Sequence, residues 1–193
     1  MEFLLLVFRW IHFVAGIIWI GLLYFFNLVN VPYTKTVEAK DRPAHVPKLL
    51  PRALAWFRHA AWVTVLAGLV LIIWNYWRFG RVLSFSESPE SADPAANTIF
   101  VGMLLGLIML INVWGFIWPN QKKVIGATVK GEKPDPQWGK TALLFSRTNF
   151  VLSFPMLLFM GSATHYPMGW LYIIIFGIIA AIIGYLVVNT VQK

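Results

Sequence analysis

Long apolar stretches separated by short polar segments make up most of this chain. Five stretches are long enough to cross about 30 Å of hydrocarbon as helices that rise roughly 1.5 Å per residue. They cover residues 3–30, 56–77, 98–118, 141–163 and 168–191. The pattern predicts an all-α integral membrane bundle of five transmembrane helices, in which residues 1–193 form a single membrane domain.

Composition supports a membrane protein and narrows its chemistry. Hydrophobic residues are 59% and charged residues 12% of the 193 residues, which is more apolar than a water-soluble domain of this size can bury. The first stretch has no basic start and no small-residue cleavage site, so we interpret it as a retained helix and not a secretory signal. The chain has no cysteine, which excludes disulfides, thiolate metal sites and a covalently attached c-type haem.

Fixed charges alternate between the loops. The loops after the first and third stretches are basic, the loop after the second is acidic, and residues 161–167 carry no fixed charge. The residues concerned are Lys35, Lys40, Arg42, Lys48, Arg52 and Arg58 in or beside the first basic loop, Lys122, Lys123, Lys130, Lys133 and Lys140 in the second, and Glu87, Glu90 and Asp93 in the acidic one. This positive-inside pattern predicts an outside N-terminus and a cytoplasmic C-terminus in a bacterial-type inner membrane. The net charge of +8 then reflects a lipid bilayer partner and no nucleic acid.

Prolines and polar residues shape the loops. Pro32, Pro43, Pro47 and Pro51 predict that the first cytoplasmic loop is broken into short pieces. Residues 120–129 predict an amphipathic continuation of the third helix, and residues 85–97 predict an irregular outer loop because they are rich in Ser, Pro, Glu and Asp.

Polar residues recur along one face of the first helix. Arg9, His12, Gly16, Asn27 and Asn30 fall on this face, which is otherwise apolar. Exposing a charged side chain to the bilayer centre costs about 3 kcal/mol or more. The face is therefore expected to serve function or assembly.

His12 and His165 are the candidate metal ligands. The predicted orientation places both in the outer half of the bilayer, whereas His59 is expected to begin the second helix on the cytoplasmic side. Neutral imidazoles ligate haem iron, and a helix bundle can hold a porphyrin between apolar faces. We therefore expect haem b, with Arg9 against a propionate and Gly16 leaving space for the macrocycle. In the alternative interpretation, His12 forms a hydrogen bond between helices and Gly16 allows close helix packing.

A second polar group is expected at the cytoplasmic end. It comprises Asn27, Asn30, Asn120, Arg147 and Asn149. Amides and a guanidinium suit a cavity for a quinone head group or a planar purine, since both need in-plane donors and acceptors. The alternative is a polar clamp that fixes helix register. The spans contain no P-loop, nucleophile–base pair or paired carboxylates, so any chemistry would depend on a bound cofactor.

Several sequence runs follow the order found in one known family. They are Arg9–His12, Trp19–Asn27, Asn112–Trp114, Trp118–Lys122, Ser146–Asn149 and Ser153–Met160, with His165 after them. These runs resemble the membrane domain of the PuuD-type urate oxidase family. The resemblance implies the N-terminal membrane fold of an enzyme that oxidises urate at the cytoplasmic membrane. That family joins the domain to a C-terminal cytochrome c domain, which needs cysteines to attach its haem. This chain has no cysteine, so we expect it to be a stand-alone short form.

Three functions are compatible with these observations. The leading hypothesis is a redox-associated subunit that binds haem b near the outer face and exchanges electrons with a cytochrome c or another membrane redox subunit. One alternative is a membrane urate oxidase-like enzyme that acts on a planar substrate at the cytoplasmic side. The other is a cofactor-free structural subunit of a respiratory or photosynthetic complex.

Overall fold

The computed structural model describes residues 1–38, 41–77 and 93–191 of the chain. Helices account for nearly all of these residues, and no β-strand occurs among them. In chain order the helices are α1 Glu2–Tyr24, α2 Val31–Thr36, α3 Arg42–Ile72, α4 Pro94–Asn112, α5 Trp118–Val129, α6 Pro136–His165 and α7 Trp170–Val191. Most of the predicted irregular loop over residues 85–97, and the charges of Lys40, Glu87 and Glu90, lie outside the described residues.

In the described part of the chain, three π-helical turns extend these helices. Phe25–Asn30 joins α1 to α2, Val113–Ile117 joins α4 to α5, and a third turn follows α3. The chain is therefore helical without a break over Glu2–Thr36 and Pro94–Val129. The predicted helical continuation over residues 120–129 is confirmed.

Among the described residues, five helices are long and apolar enough to cross a membrane. They are Glu2–Thr36, Pro47–Asn75, Pro94–Val129, Pro136–His165 and Trp170–Val191. The predicted all-α fold with five membrane-spanning helices is thus confirmed, and the protein is a multi-pass membrane protein.

The helices extend beyond the apolar stretches because polar residues cap their first turns. Asp93 Oδ1 accepts hydrogen bonds at 3.0 and 3.2 Å from two backbone N–H groups at the start of α4. Asp135 likewise accepts from the Gln137 backbone N–H at 2.8 Å. Pro94 and Pro136 each occupy the position after the cap, where a helix needs no N–H group. Both helices consequently begin before the first apolar residue of the predicted span.

The prolines of the first basic loop do not break it into short pieces, so that prediction is wrong. Helix α3 begins at Arg42 and runs through Pro47 and Pro51. A proline has no backbone N–H group, so the carbonyl group four residues before it loses its hydrogen bond. Because Pro47 and Pro51 lie four residues apart, both of these carbonyl groups lie on the same face of the helix as the prolines. This face of the helix can expose those carbonyl groups to solvent while the opposite face remains packed.

The helices pack as two groups. Helix α1 lies along α3, while α6 packs between α4 and α7. Helix α5 contacts both α3 and α6 and joins the groups at one end of the bundle. We call this the basic end, since Arg52, Lys122 and Lys123 lie there, exposed. The shared core is nearly inaccessible to solvent and includes Trp19, Leu23, Phe57, Met109 and Val113.

Helix α7 presents most of its surface outward. Its buried residues are Ile173, Ala180, Gly184 and Val188. Large aliphatic side chains on the remaining faces, such as Leu171, are exposed. An apolar surface of this extent is stable in contact with lipid, so α7 lies at the boundary between protein and bilayer.

Gly184 allows α7 to approach α6 closely. A Cβ atom at this position would lie 2.8 Å from Cδ2 of Phe154 and 3.2 Å from Cα of Val151. We expect Gly184→Ala to destabilise the detergent-solubilised protein by about 1–3 kcal/mol, because the added methyl group forces the two helices apart. The melting temperature measures this effect. Gly106→Ala is the matched control, since a Cβ atom there would meet nothing within 4 Å; equal melting temperatures for the two variants would contradict the close approach.

Candidate functional site

His12 lies where α1 packs against α3. Its Nδ1 atom is 2.7 Å from the backbone carbonyl oxygen of Thr64. Because a carbonyl oxygen only accepts hydrogen bonds, Nδ1 carries the hydrogen, and in the neutral imidazole Nε2 then keeps a lone pair. A carbonyl group that fixes Nδ1–H in this way is a common partner of metal-binding histidines, which then ligate through Nε2.

Two glycines border this histidine contact. A Cβ atom at Gly68 would lie 2.9 Å from Cε1 and 3.1 Å from Nδ1 of His12, so only glycine leaves the imidazole in place. Gly16 faces α3 instead, and a Cβ atom there would lie 3.7 Å from Cγ2 of Thr64. Gly16 therefore lies at the contact between the two helices.

The other residues of the predicted haem site lie apart from this contact. Arg9 is exposed one turn nearer the start of α1, and His165 is exposed at the last residue of α6. No hydrogen bond or ring contact joins His165 to His12. Within the described part of the chain, no three His, Cys, Asp or Glu side chains are grouped as metal ligands. Of His12, Arg9 and His165, His12 is the residue whose ring nitrogen is held by a hydrogen bond between helices.

His59 does not begin its helix, contrary to the expectation from sequence. It lies well inside α3 and is exposed on the bundle surface, with its ring centroid 6.4 Å from that of Trp114. It borders an apolar groove of about 240 Å³ between α1 and α3, together with Trp10 and Trp56. The misplacement arose because α3 starts long before the apolar stretch does.

Hydrogen bonds between buried asparagines join α4 to α6. Nδ2 of Asn112 donates to Oδ1 of Asn149 at 2.7 Å. Nδ2 of Asn149 in turn donates to the backbone carbonyl of Met109 at 2.9 Å. Both asparagines are buried, and mutual pairing removes most of the cost of placing amides in apolar surroundings.

Helix α1 and the turn after it join α6 through a second set of polar contacts. The hydroxyl groups of Tyr24 and Ser153 are 3.1 Å apart. Nδ2 of Asn27 donates to Oγ of Ser146 at 2.9 Å. We refer to Tyr24, Asn27, Asn112, Ser146, Asn149 and Ser153 as the polar cluster. It links three helices from within the bundle.

The residues predicted to line one cavity at the cytoplasmic end do not lie together in the structure. Asn27 and Asn149 belong to the polar cluster and are fully buried. Arg147 lies on another side of α6, where its Nη2 donates to Oδ1 of Asn189 on α7 at 2.9 Å. Asn120 donates to a backbone carbonyl of the preceding helical turn at 2.8 Å. Asn30 is half-buried at the end of the first π-helical turn.

Sequence reasoning did not find the neighbours of His12. A backbone carbonyl at Thr64 and a missing side chain at Gly68 produce no recognisable motif. Two π-helical turns begin next to the polar cluster, at Phe25 and Val113. Such turns are frequent at functional sites, but sequence alone does not mark them, so they are found only in the structure.

The fold and these contacts define a class of protein, a multi-pass helical membrane protein whose spans are joined by buried polar side chains. The sequence model of one family, described as urate oxidase N-terminal, matches residues 90–191. This match covers more than half of the chain, including α4 to α7, and the chain belongs to the urate oxidase N-terminal family. No curated protein and no solved structure matches the chain. The resemblance seen in the sequence runs is thereby confirmed.

The contact between Gly68 and His12 leads to a test that needs no cofactor. We expect Gly68→Ala to push the imidazole away from the Thr64 carbonyl, because the new methyl group would overlap the ring. Nitrogen NMR of histidine-labelled protein in lipid nanodiscs should show a neutral Nδ1–H imidazole, assigned by its absence in His12→Gln. This signal should be lost in Gly68→Ala and kept in Gly106→Ala. Its persistence in Gly68→Ala would show that the contact does not hold His12.

Proposed function

We propose that this protein is a redox-associated membrane subunit that binds haem b through His12. The hydrogen bond from Nδ1 of His12 to the Thr64 carbonyl supports the proposal, because it leaves Nε2 as the ligating atom. A bound haem would supply one-electron transfer. Thr64 orients the ring, and Gly68 leaves room for it. Arg9 is the candidate partner for a propionate, and His165 is the candidate second ligand.

The proposed setting is a bacterial-type inner membrane with the N-terminus outside and the C-terminus cytoplasmic. The basic residues after the first and third spans support this orientation. His12 would then lie toward the outer face, and the exposed end of α6 at His165 would lie on the same side. A cytochrome c or another membrane redox subunit that docks on that face is the proposed electron partner.

Replacement of His12 tests the haem proposal directly. We expect the protein purified from haem-supplied cells to show Soret and alpha bands, and His12→Ala to abolish or shift them because an axial ligand is lost. His165→Ala applied in parallel tests the second ligand. His59→Ala is the control for both variants, since His59 is an exposed histidine that borders the groove between α1 and α3 and is not one of the proposed ligands.

Two outcomes of this experiment would count against the proposal. A spectrum unchanged by His12→Ala would remove His12 from the site. A colourless wild-type protein, correctly folded and purified from haem-supplied cells, would reject haem binding and favour a cofactor-free structural subunit of a larger complex.

Family membership favours a second candidate, a urate oxidase-like activity toward a planar substrate at the basic end. The matched residues 90–191 include Asn112 and Asn149, whose amides are the donors and acceptors that a purine ring requires. Access of substrate to this cluster would require α4 and α6 to separate there.

Urate consumption tests this candidate. Membranes containing the protein and an electron acceptor should consume urate, and Asn149→Ala should slow the reaction about tenfold or more, since a lost hydrogen bond costs about 1.4 kcal/mol. Thr148→Ala is the control, because Thr148 is exposed and bonds only within its own helix. Equal consumption by matched membranes without the protein would reject urate as the substrate.

A further inference from the structure

Arg58 on α3 packs against two tryptophans of the continuous helix formed by α4 and α5. Its guanidinium carbon lies 3.8 Å from the ring centroid of Trp118 and 5.9 Å from that of Trp114. The indole N–H of Trp114 donates to the Arg58 backbone carbonyl at 3.3 Å. This contact holds the indole against α3, so the guanidinium is fixed in place at the basic end.

The charge of Arg58 has no acidic partner in the described part of the chain. None of the eight acidic residues lies on α3, α4 or α5. Nε of Arg58 is buried and makes no hydrogen bond to any described group. Stacking on indole rings compensates part of the loss of hydration, but a partly buried cation also requires an anion or hydrogen-bond acceptors.

A second cation lies on the same helix face as Trp118. Lys122 follows Trp118 by four residues within α5, so the two positions are neighbours along that face. Lys122 is exposed. The guanidinium of Arg58 stacks on the indole of Trp118, and Lys122 supplies a second positive charge one helical turn farther along.

We propose that Arg58, Trp118 and Lys122 bind the phosphate head group of an anionic phospholipid. Guanidinium groups bind phosphate oxygens through paired N–H donors, and a lysine adds a second positive charge. Tryptophan suits the boundary between head group and acyl chain. Basic clefts between membrane helices are known places of anionic lipid recognition. The site lies at the basic end and does not depend on haem or urate binding.

Native mass spectrometry of the full chain tests the proposal. Protein is released from detergent micelles that contain phosphatidylglycerol and phosphatidylcholine at equal concentrations, and the retained lipid is counted. We expect the wild type to retain phosphatidylglycerol preferentially, and Arg58→Gln to reduce that retention about fivefold, as expected for loss of one cationic contact. Lys130→Gln removes one exposed positive charge just after the end of α5 and should leave retention unchanged.

Further variants keep the result decisive. Circular dichroism and melting temperature establish whether Arg58→Gln is folded, and Lys122→Gln provides the same test at an exposed position if it is not. Unchanged retention in the folded variants would overturn the proposal, as would equal retention of the two lipids by the wild type. Equal losses in Lys130→Gln and Arg58→Gln would indicate diffuse attraction and also overturn it. Displacement of the lipid by millimolar inorganic phosphate would assign the site to a soluble anion instead.

Discussion

Polar side chains between membrane helices must find partners inside the protein, because the surrounding hydrocarbon offers none. Helix α6 meets this requirement for three neighbours at once. Asn149 bonds to α4, Ser146 and Ser153 contact α1 and the turn after it, and Arg147 donates to α7. The polar side chains of a single helix therefore set the position of three others. The apolar side chains around them therefore pack at the helix positions that these hydrogen bonds set.

The polar contacts between the two helix groups are concentrated at one end. Near the basic end, Tyr24 and Asn27 connect α1 and the turn after it to α6, and Arg58 stacks on Trp118. Toward the other end, His12 makes its hydrogen bond within the α1–α3 group, whereas His165 belongs to the α4–α6–α7 group. A ligand shared by the two histidines would therefore add a connection between the two helix groups at the end opposite the basic end.

Hydropathy predicts the five spans because a hydrocarbon slab imposes both a minimum length and an apolar composition on every helix that crosses it. Direction around the helix axis is harder to predict. Arg147 and Asn149 lie at the same depth, and the sequence therefore suggests a common cavity. Successive residues of a helix are turned by about 100° around its axis, so these two positions differ by a rotation of about 200° and their side chains point to nearly opposite sides. One reaches α7 and the other α4, and only the packed structure reveals which neighbour occupies each side.

The family match and the candidate sites fall on different parts of the fold. Residues 90–191 contain the α6 side of the polar cluster, together with α4 and α7. His12 and Arg58 belong to the α1–α3 group outside this stretch. Chemistry on the α1–α3 group can be coupled to the matched part through the contacts that join them, which include Asn27 with Ser146 and Arg58 with Trp118. Both contacts lie at the basic end, near π-helical turns. The matched part of the molecule and the α1–α3 group are therefore joined by polar contacts next to these turns.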